Sequence, residues 1–187
     1  MPAFLLFRQA RLKLTKLAGM LIALTALAAC ATFVVPDSPP IHTRKPIAVV
    51  PLKNFSQTPL AADKTEQALL TQLLKQGIPT VAPPPQTSLA LEDILDSTQR
   101  EKATQHRLAQ RHADYILSGS VNEWGYSKGV SGDPSVSITL WLSHAETPDT
   151  ILWRATGSRV GLGYKNISAL AQDVLKQLIE GIHFEPY

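Results

Sequence analysis

The chain has 187 residues, 44% of them hydrophobic, and its one cysteine, Cys30, excludes an internal disulfide framework or a cysteine zinc cluster. Of its 18 basic residues four lie in positions 1–29, which hold no acid, so the remainder carries 14 basic and 15 acidic side chains, a net charge of −1. The nominal pI of 9.1 reflects that N-terminus, and no basic stripe for nucleic acid is left behind it.

Arg8, Arg11, Lys13 and Lys16 form a positive end, Leu17 to Leu27 (LAGMLIALTAL) an apolar stretch, and Leu27-Ala28-Ala29-Cys30 a lipobox. Together they read as a bacterial lipoprotein signal, cut after residue 29, with Cys30 as the lipid-bearing first residue. The apolar stretch, about a dozen residues, is too short to span a bilayer, which needs roughly 20. Two or more acyl chains anchor firmly, each buried methylene contributing about 0.8 kcal/mol. In this class of proteins an aspartate after the cysteine marks inner-membrane retention, so Ala31 favours the outer membrane.

Residues 31–44 (ATFVVPDSPPIHTR) contain three prolines and no helical period, and read as an extended tether. Residues 45–187, about 140 in number, suit one domain with a single core. Pro46 to Leu52 is an apolar run suited to a buried strand, and Lys53 to Ala62 a polar loop. A helix follows, with Asp63 and Glu66 as a capping box, Ala68, Leu69, Leu70, Leu73 and Leu74 on its inner face, and Gly77 as its stop. Thr80 to Ala82 is a brief strand running into prolines, and Leu91 to Ala113 a second helical region with a solvated basic face.

Three strands come next. Tyr115 to Tyr126 is long and β-rich, and Ser135 to Leu142 alternates strictly, with Val136, Ile138, Leu140 and Leu142 on one face. Thr150 to Val160 sets Ile151, Trp153 and Ala155 opposite Leu152, Arg154 and Thr156. Turn-rich connectors make these an antiparallel meander. A last helix starts near Asn166, carries Leu170, Ala171, Val174, Leu175, Leu178 and Ile179 on one stripe, and ends at Gly181. The order is β-α-β-α-β-β-β-α, an α/β fold with a mixed sheet and packed helices.

Enzyme chemistry finds no constellation here. Gly-Val-Ser-Gly at 129–132 lacks the spacing of a nucleophile elbow and lies in a hairpin turn. His106 and His112 are six residues apart and do not share a helix face at metal-ligand spacing. No catalytic residue, metal site or cofactor is expected. Asn54-Phe55-Ser56 and Asn166-Ile167-Ser168 match a glycosylation sequon that is idle in a bacterial lipoprotein. The informative side chains are aromatic and acidic. Core packing is the ordinary reading of Trp124, Trp141 and Trp153, but Trp141 lies on a polar strand face. Trp153 follows a hairpin turn, where an indole can sit at a membrane interface. Glu123, Asp133 and Asp149 lie at strand ends or turns, and in a symmetric oligomer each would repeat into a negative rim.

The segments VVPLKNFSQTP at 49–59, ADYILSGSVNEWGYSKGVSGDPSV at 113–136 and ILWRATGSRVG at 151–161, behind a lipobox, resemble the PelC family. These are lipoproteins of the Pel exopolysaccharide export system. The resemblance implies a fold like the TolB N-terminal domain and a dodecameric ring at the periplasmic face of the outer membrane. It also implies the porin PelB as partner and a cationic polysaccharide, rich in partly deacetylated amino sugars, guided by an electronegative surface. Carried onto this chain, it makes Cys30 the anchor, Trp153 a membrane-facing aromatic, and Asp133 with Glu123 the acidic surface. The competing reading is a monomeric periplasmic lipoprotein that activates a cell-wall synthesis enzyme. That role would want a longer tether than residues 31–44.

Overall fold

The computed structural model describes residues 31–42, 44–83, 104, 113–126, 132–161 and 166–185. The expected leader, Cys30, the Pro-rich 84–86 stretch and the tip of the central hairpin lie outside them. So does the second helical region, except that Thr104 is helical and buried. In chain order the described elements are β1 (Ala31–Val34), β2 (Ile41–His42), β3 (Ile47–Val49), β4 (Lys53–Asn54) and α1 (Ala61–Lys75). Then come β5 (Thr80–Val81), β6 (Tyr115–Tyr126), β7 (Pro134–His144), β8 (Ile151–Val160), α2 (Ile167–Ile179) and β9 (Phe184–Glu185).

Seven strands form one mixed sheet in the order β1-β8-β7-β6-β3-β5, with β4 also pairing β6. Strands β5, β3, β4 and β6 run parallel, as strands joined through a crossover helix must. Strands β6, β7 and β8 form the expected antiparallel meander, with Leu117, Leu142 and Trp153 in one cross-strand row. The fold is therefore α/β with a mixed sheet, as read. Both helices pack on one face, against Leu117, Val121, Val136, Ile138, Leu140, Leu142 and Ala155, all buried. The other face carries Ser118, Ser120, Asn122, Ser137, Thr139, Trp141, Arg154 and Thr156 by strict alternation.

Helix α2 buries Leu170, Ala171, Val174, Leu175, Leu178 and Ile179, the stripe its period predicts. The Asn166 carboxamide oxygen caps it, accepting from Ser168 N–H at 2.7 Å. Helix α1 departs from expectation at both its start and its face. It begins two residues before Asp63, at an N-cap Leu60 that makes no side-chain cap, so the Asp63–Glu66 capping box does not form. The inward stripe is Ala62, Thr65, Glu66, Leu69 and Leu73, and Leu74 points outward. Five neighbouring apolar residues span more than the arc one helix face can bury, and the 3.6-residue period selects among them. Gly77 ends α1 as expected, at φ 74°, with its N–H bonded to Leu74 O and the Ile78 N–H to Leu73 O.

Glu66 is fully buried on that stripe, and its Oε1 accepts the Leu52 N–H at 2.8 Å. The loop leaving β3 is thus held to α1 by a buried carboxylate. Glu66→Ala would leave a buried N–H without its acceptor and is expected to cost about 1–3 kcal/mol. Glu66→Gln, which keeps a carbonyl oxygen, is expected to lose less; urea unfolding midpoints at unchanged slope measure both.

Candidate functional site

The long hairpin of β6 and β7 places two acids near one end of the sheet. Strict alternation from Leu117 and Val121 would turn Glu123 into the core and Trp124 out of it. The register instead shifts between Val121 and Glu123, a β-bulge at Asn122. Trp124 consequently packs inward, opposite Val136, while Glu123 is exposed opposite Ser137. The bulge is tied on the polar face by a chain of side-chain hydrogen bonds. Ser120 Oγ donates to Asn122 Oδ1 at 2.9 Å, Asn122 Nδ2 donates to Thr139 Oγ1 at 2.9 Å, and Thr139 and Thr156 hydroxyls lie 3.0 Å apart.

Asp133 immediately precedes Pro134, which pairs with Tyr126, so it lies about 13 Å along the hairpin from Glu123 at four strand residues' rise. It is half-buried, whereas Glu123 is exposed and has no ion-pair partner among the described residues. Other acids are paired: Asp114 with Lys45 at 2.7 Å and Asp173 with Arg159 at 3.5 Å. Asp149 lies in the β7–β8 turn, at the opposite end of the sheet.

Trp153 is not a membrane-facing aromatic in this protomer. It is 3% exposed, packs in the core, and its Nε1–H donates to Pro36 O at 2.6 Å. The reason lies in residues 31–42, which are extended as read but are docked rather than free. Strand β1 hydrogen-bonds along β8, and β2 pairs in parallel with β9. Phe33 lies over Gly157, where an added Cβ would come within 2.8 Å of its ring. Ser38 N–H bonds Gly181 O, Ser38 Oγ accepts from His183 N–H, and the Asp37 carboxylate is 3.2 Å from His183 Nε2. This strap covers the indole. Trp141 keeps its place on the polar face, with the Arg154 guanidinium 5.6 Å from its ring centroid.

Two exposed aromatics lie near the acids: Tyr126, which the sequence places on the meander, and Phe55, which the sequence reading passed over as an aromatic. Tyr126 ends β6 and is 55% exposed; Phe55 is 68% exposed. The loop carrying Phe55 is laid along β6 by Phe55 N–H to Val121 O and by Thr58 Oγ1–H to Trp124 O at 2.6 Å. Asn54, the first sequon asparagine, serves that loop as a turn, its Oδ1 accepting from Ser56 N–H and Ser56 Oγ–H. Leu60 closes the loop at φ 60°, a left-handed conformation costing a β-carbon about 1–2 kcal/mol. An aromatic in an otherwise polar loop was the available signal. Elsewhere, a shallow groove of about 460 Å³ between the helices is lined by Gln72, Lys75, Gln76, Gln172, Asp173 and Lys176, with no nucleophile beside a base. No cluster of three metal-ligating side chains occurs among the described residues, and none of their helices is long and apolar enough to cross a membrane.

No family model and no curated protein matches the chain. Solved structures do. The PelC dodecamer from Paraburkholderia phytofirmans is 26% identical with a TM-score of 0.64, covering 81% of this chain and 96% of that one. A point variant of the same dodecamer gives 24% identity and a TM-score of 0.68 over 83% and 99%. The lipoprotein GNA1162 from Neisseria meningitidis shares the fold at 19% identity, TM-score 0.50, over 73% and 96%. The chain is PelC-like over most of its length, with the TolB N-terminal-like mixed α/β fold that this likeness implied.

Deleting Asn122 would remove the bulge yet keep Glu123 opposite Ser137 and Trp124 opposite Val136, since Val121, Glu123 and Trp124 then alternate regularly. What is lost is the pair of Asn122 side-chain bonds to Ser120 and Thr139, each worth about 0.5–1.5 kcal/mol. A urea unfolding midpoint lowered to that extent, with tryptophan emission unshifted, is the expected result.

Proposed function

We propose that this protein is a non-catalytic outer-membrane lipoprotein, anchored through Cys30 on the periplasmic side. It assembles as a ring, a dodecamer, and guides a cationic exopolysaccharide of the Pel type toward its export porin, PelB, during biofilm matrix formation. The observation that carries this reading is the likeness to dodecameric PelC across four-fifths of the chain. Glu123, exposed and without an ion-pair partner among the described residues, supports it together with Asp133 near the same end of the sheet. Repeated around a ring axis, these two carboxylates build a negative surface from a subunit of nearly neutral mature charge.

The physics suits a guide better than a tight receptor. A cationic polymer in transit needs many weak contacts, because a few strong ones would stall it. Exposed carboxylates provide such contacts, and they act over a screening length of about 8 Å at physiological ionic strength. The alternative, a monomer reaching across the periplasm to a wall-synthesis enzyme, needs a long free linker. Residues 32–42 lie on the domain instead, and Phe33, three positions after Cys30, is already packed.

Glu123→Lys is expected to lower secreted polymer several-fold while changing stability by no more than about 0.5 kcal/mol, because the parent carboxylate is exposed and has no ion-pair partner among the described residues. Asp133→Lys is expected to impair secretion as well. Lectin quantification of secreted polymer, with unfolding midpoints alongside, measures both; normal secretion from each variant would remove these acids from the site. Mass measurement of the purified lipoprotein in mild detergent is expected to give a defined high oligomer. A strict monomer at high concentration would defeat the ring.

A further inference from the structure

Gln72 is the residue of α1 that its packing does not account for. It lies three positions after Leu69, is 8% exposed, and lines the groove between α1 and α2. An apolar side chain there would extend the inward stripe, whereas a carboxamide brings two polar atoms that need partners. The Gln72 carboxamide has no hydrogen-bond partner among the described residues. No sealed side-chain nitrogen or oxygen lacks a partner among them, so this carboxamide opens to the groove.

Gln76, one turn on, and Gln172 of α2 bring two more carboxamides to the same walls, again without protein partners among the described residues. Each offers an oxygen acceptor and an amino group with two donors. Lys75 and Lys176 complete the lining with Asp173, whose carboxylate is 3.5 Å from Arg159. The groove therefore holds mostly neutral donors and acceptors, with two ammonium groups against one carboxylate that is already paired.

That lining selects a chemistry. An acceptor-only anion such as phosphate would leave the three carboxamide oxygens without donors. A cationic ligand meets Lys75 and Lys176. A peptide would want pockets for its side chains, and the lining residues are all polar or charged. A neutral ligand that carries hydroxyl and amide groups side by side satisfies all three carboxamides. The groove's volume of about 460 Å³ falls within the range of about 300–1,000 Å³ occupied by small-ligand sites. It is open, and no aromatic ring lines it for stacking, so its contacts are weak.

We propose that the α1–α2 groove is a subsite for neutral, N-acetylated amino sugars, with the Gln72 carboxamide bonded to an acetamido group and Gln76 and Gln172 to neighbouring hydroxyls. This deepens the proposed function and rests on it for the choice of an amino sugar. A partly deacetylated polymer carries ammonium-bearing and acetamido-bearing residues. Glu123 and Asp133 on the β6–β7 hairpin attract the first kind, and the groove between the helices takes the second. A weak subsite of this sort registers the chain without stalling it.

The test is saturation-transfer difference NMR on the full protein in mild detergent, titrated with N,N′-diacetylchitobiose or with chitobiose in mildly acidic buffer, where the free amines are charged. The acetylated disaccharide is expected to bind with a Kd of about 1 mM, the scale of an open site that makes a few hydrogen bonds. Chitobiose is expected to bind at least about tenfold more weakly, because its ammonium groups meet the lysines. Gln72→Leu is expected to weaken the acetylated ligand about tenfold at an equal or higher urea midpoint, since leucine removes an unpartnered amide from the stripe. Gln172→Ala, at an exposed position, is expected to weaken it several-fold and decides the matter even where Gln72→Leu folds poorly. No binding, equal binding of both disaccharides, or binding unchanged in both variants would overturn the subsite. Loss of the high oligomer in Gln72→Leu would assign the groove to contact between copies of the chain and overturn it too. The assay does not depend on export. A monomer that binds the acetylated sugar defeats the proposed ring alone, whereas a ring that ignores the sugar defeats this subsite alone.

Discussion

Strand β6 has to serve two sheets in one. Along one edge it pairs in parallel with β3 and β4, and along the other antiparallel with β7. Its first half is committed to the helix-covered core through Leu117 and Val121, and its last turn toward the core is made by Trp124. Those three positions cannot share a face at a period of two. One extra residue at Asn122 resolves the conflict, and everything near the far end of the sheet follows from it. The indole fills the core beside Val136, Glu123 is released to solvent, and the polar chain from Ser120 to Thr156 keeps the irregularity in place.

A second constraint comes from the N-terminal strap. Paired to β8 and latched to the C-terminal segment through Ser38, Asp37 and β2–β9, it is part of the domain. Residues that the sequence offers as a free tether are thus spent on covering the core: Phe33 packs over Gly157, and the carbonyl of Pro36 satisfies the Trp153 indole N–H.

Much of the fold was legible because the responsible patterns are local. The stripe of α2, its Asn166 cap, the alternation of β7 and the glycine stop at Gly77 each depend on neighbours within a turn or a strand. Helix α1 was half legible. Its apolar cluster was plain, yet nothing in it says that Leu74 turns outward or that Glu66 turns inward to hold Leu52 N–H, a partner 14 residues away. Trp153 failed for the same reason: position after a turn suggested an exposed indole, and a strap from residues 31–36 covers it. A carboxylate's exposure was readable for Glu123 only through a bulge that a strict alternation would deny.

By itself, then, the sequence determined the single cysteine, the near-neutral charge of the chain behind its basic N-terminus, the meander and the mixed α/β class. These are matters of composition, short motifs and periods, which short-range sterics and hydrophobicity enforce. Only the tertiary structure decided that Glu123 faces solvent, that Trp153 is covered, that the tether is a strand, and that Phe55 and Tyr126 stay on the surface. Each depends on pairing between segments far apart in the chain, and such pairing is chosen by the whole core at once.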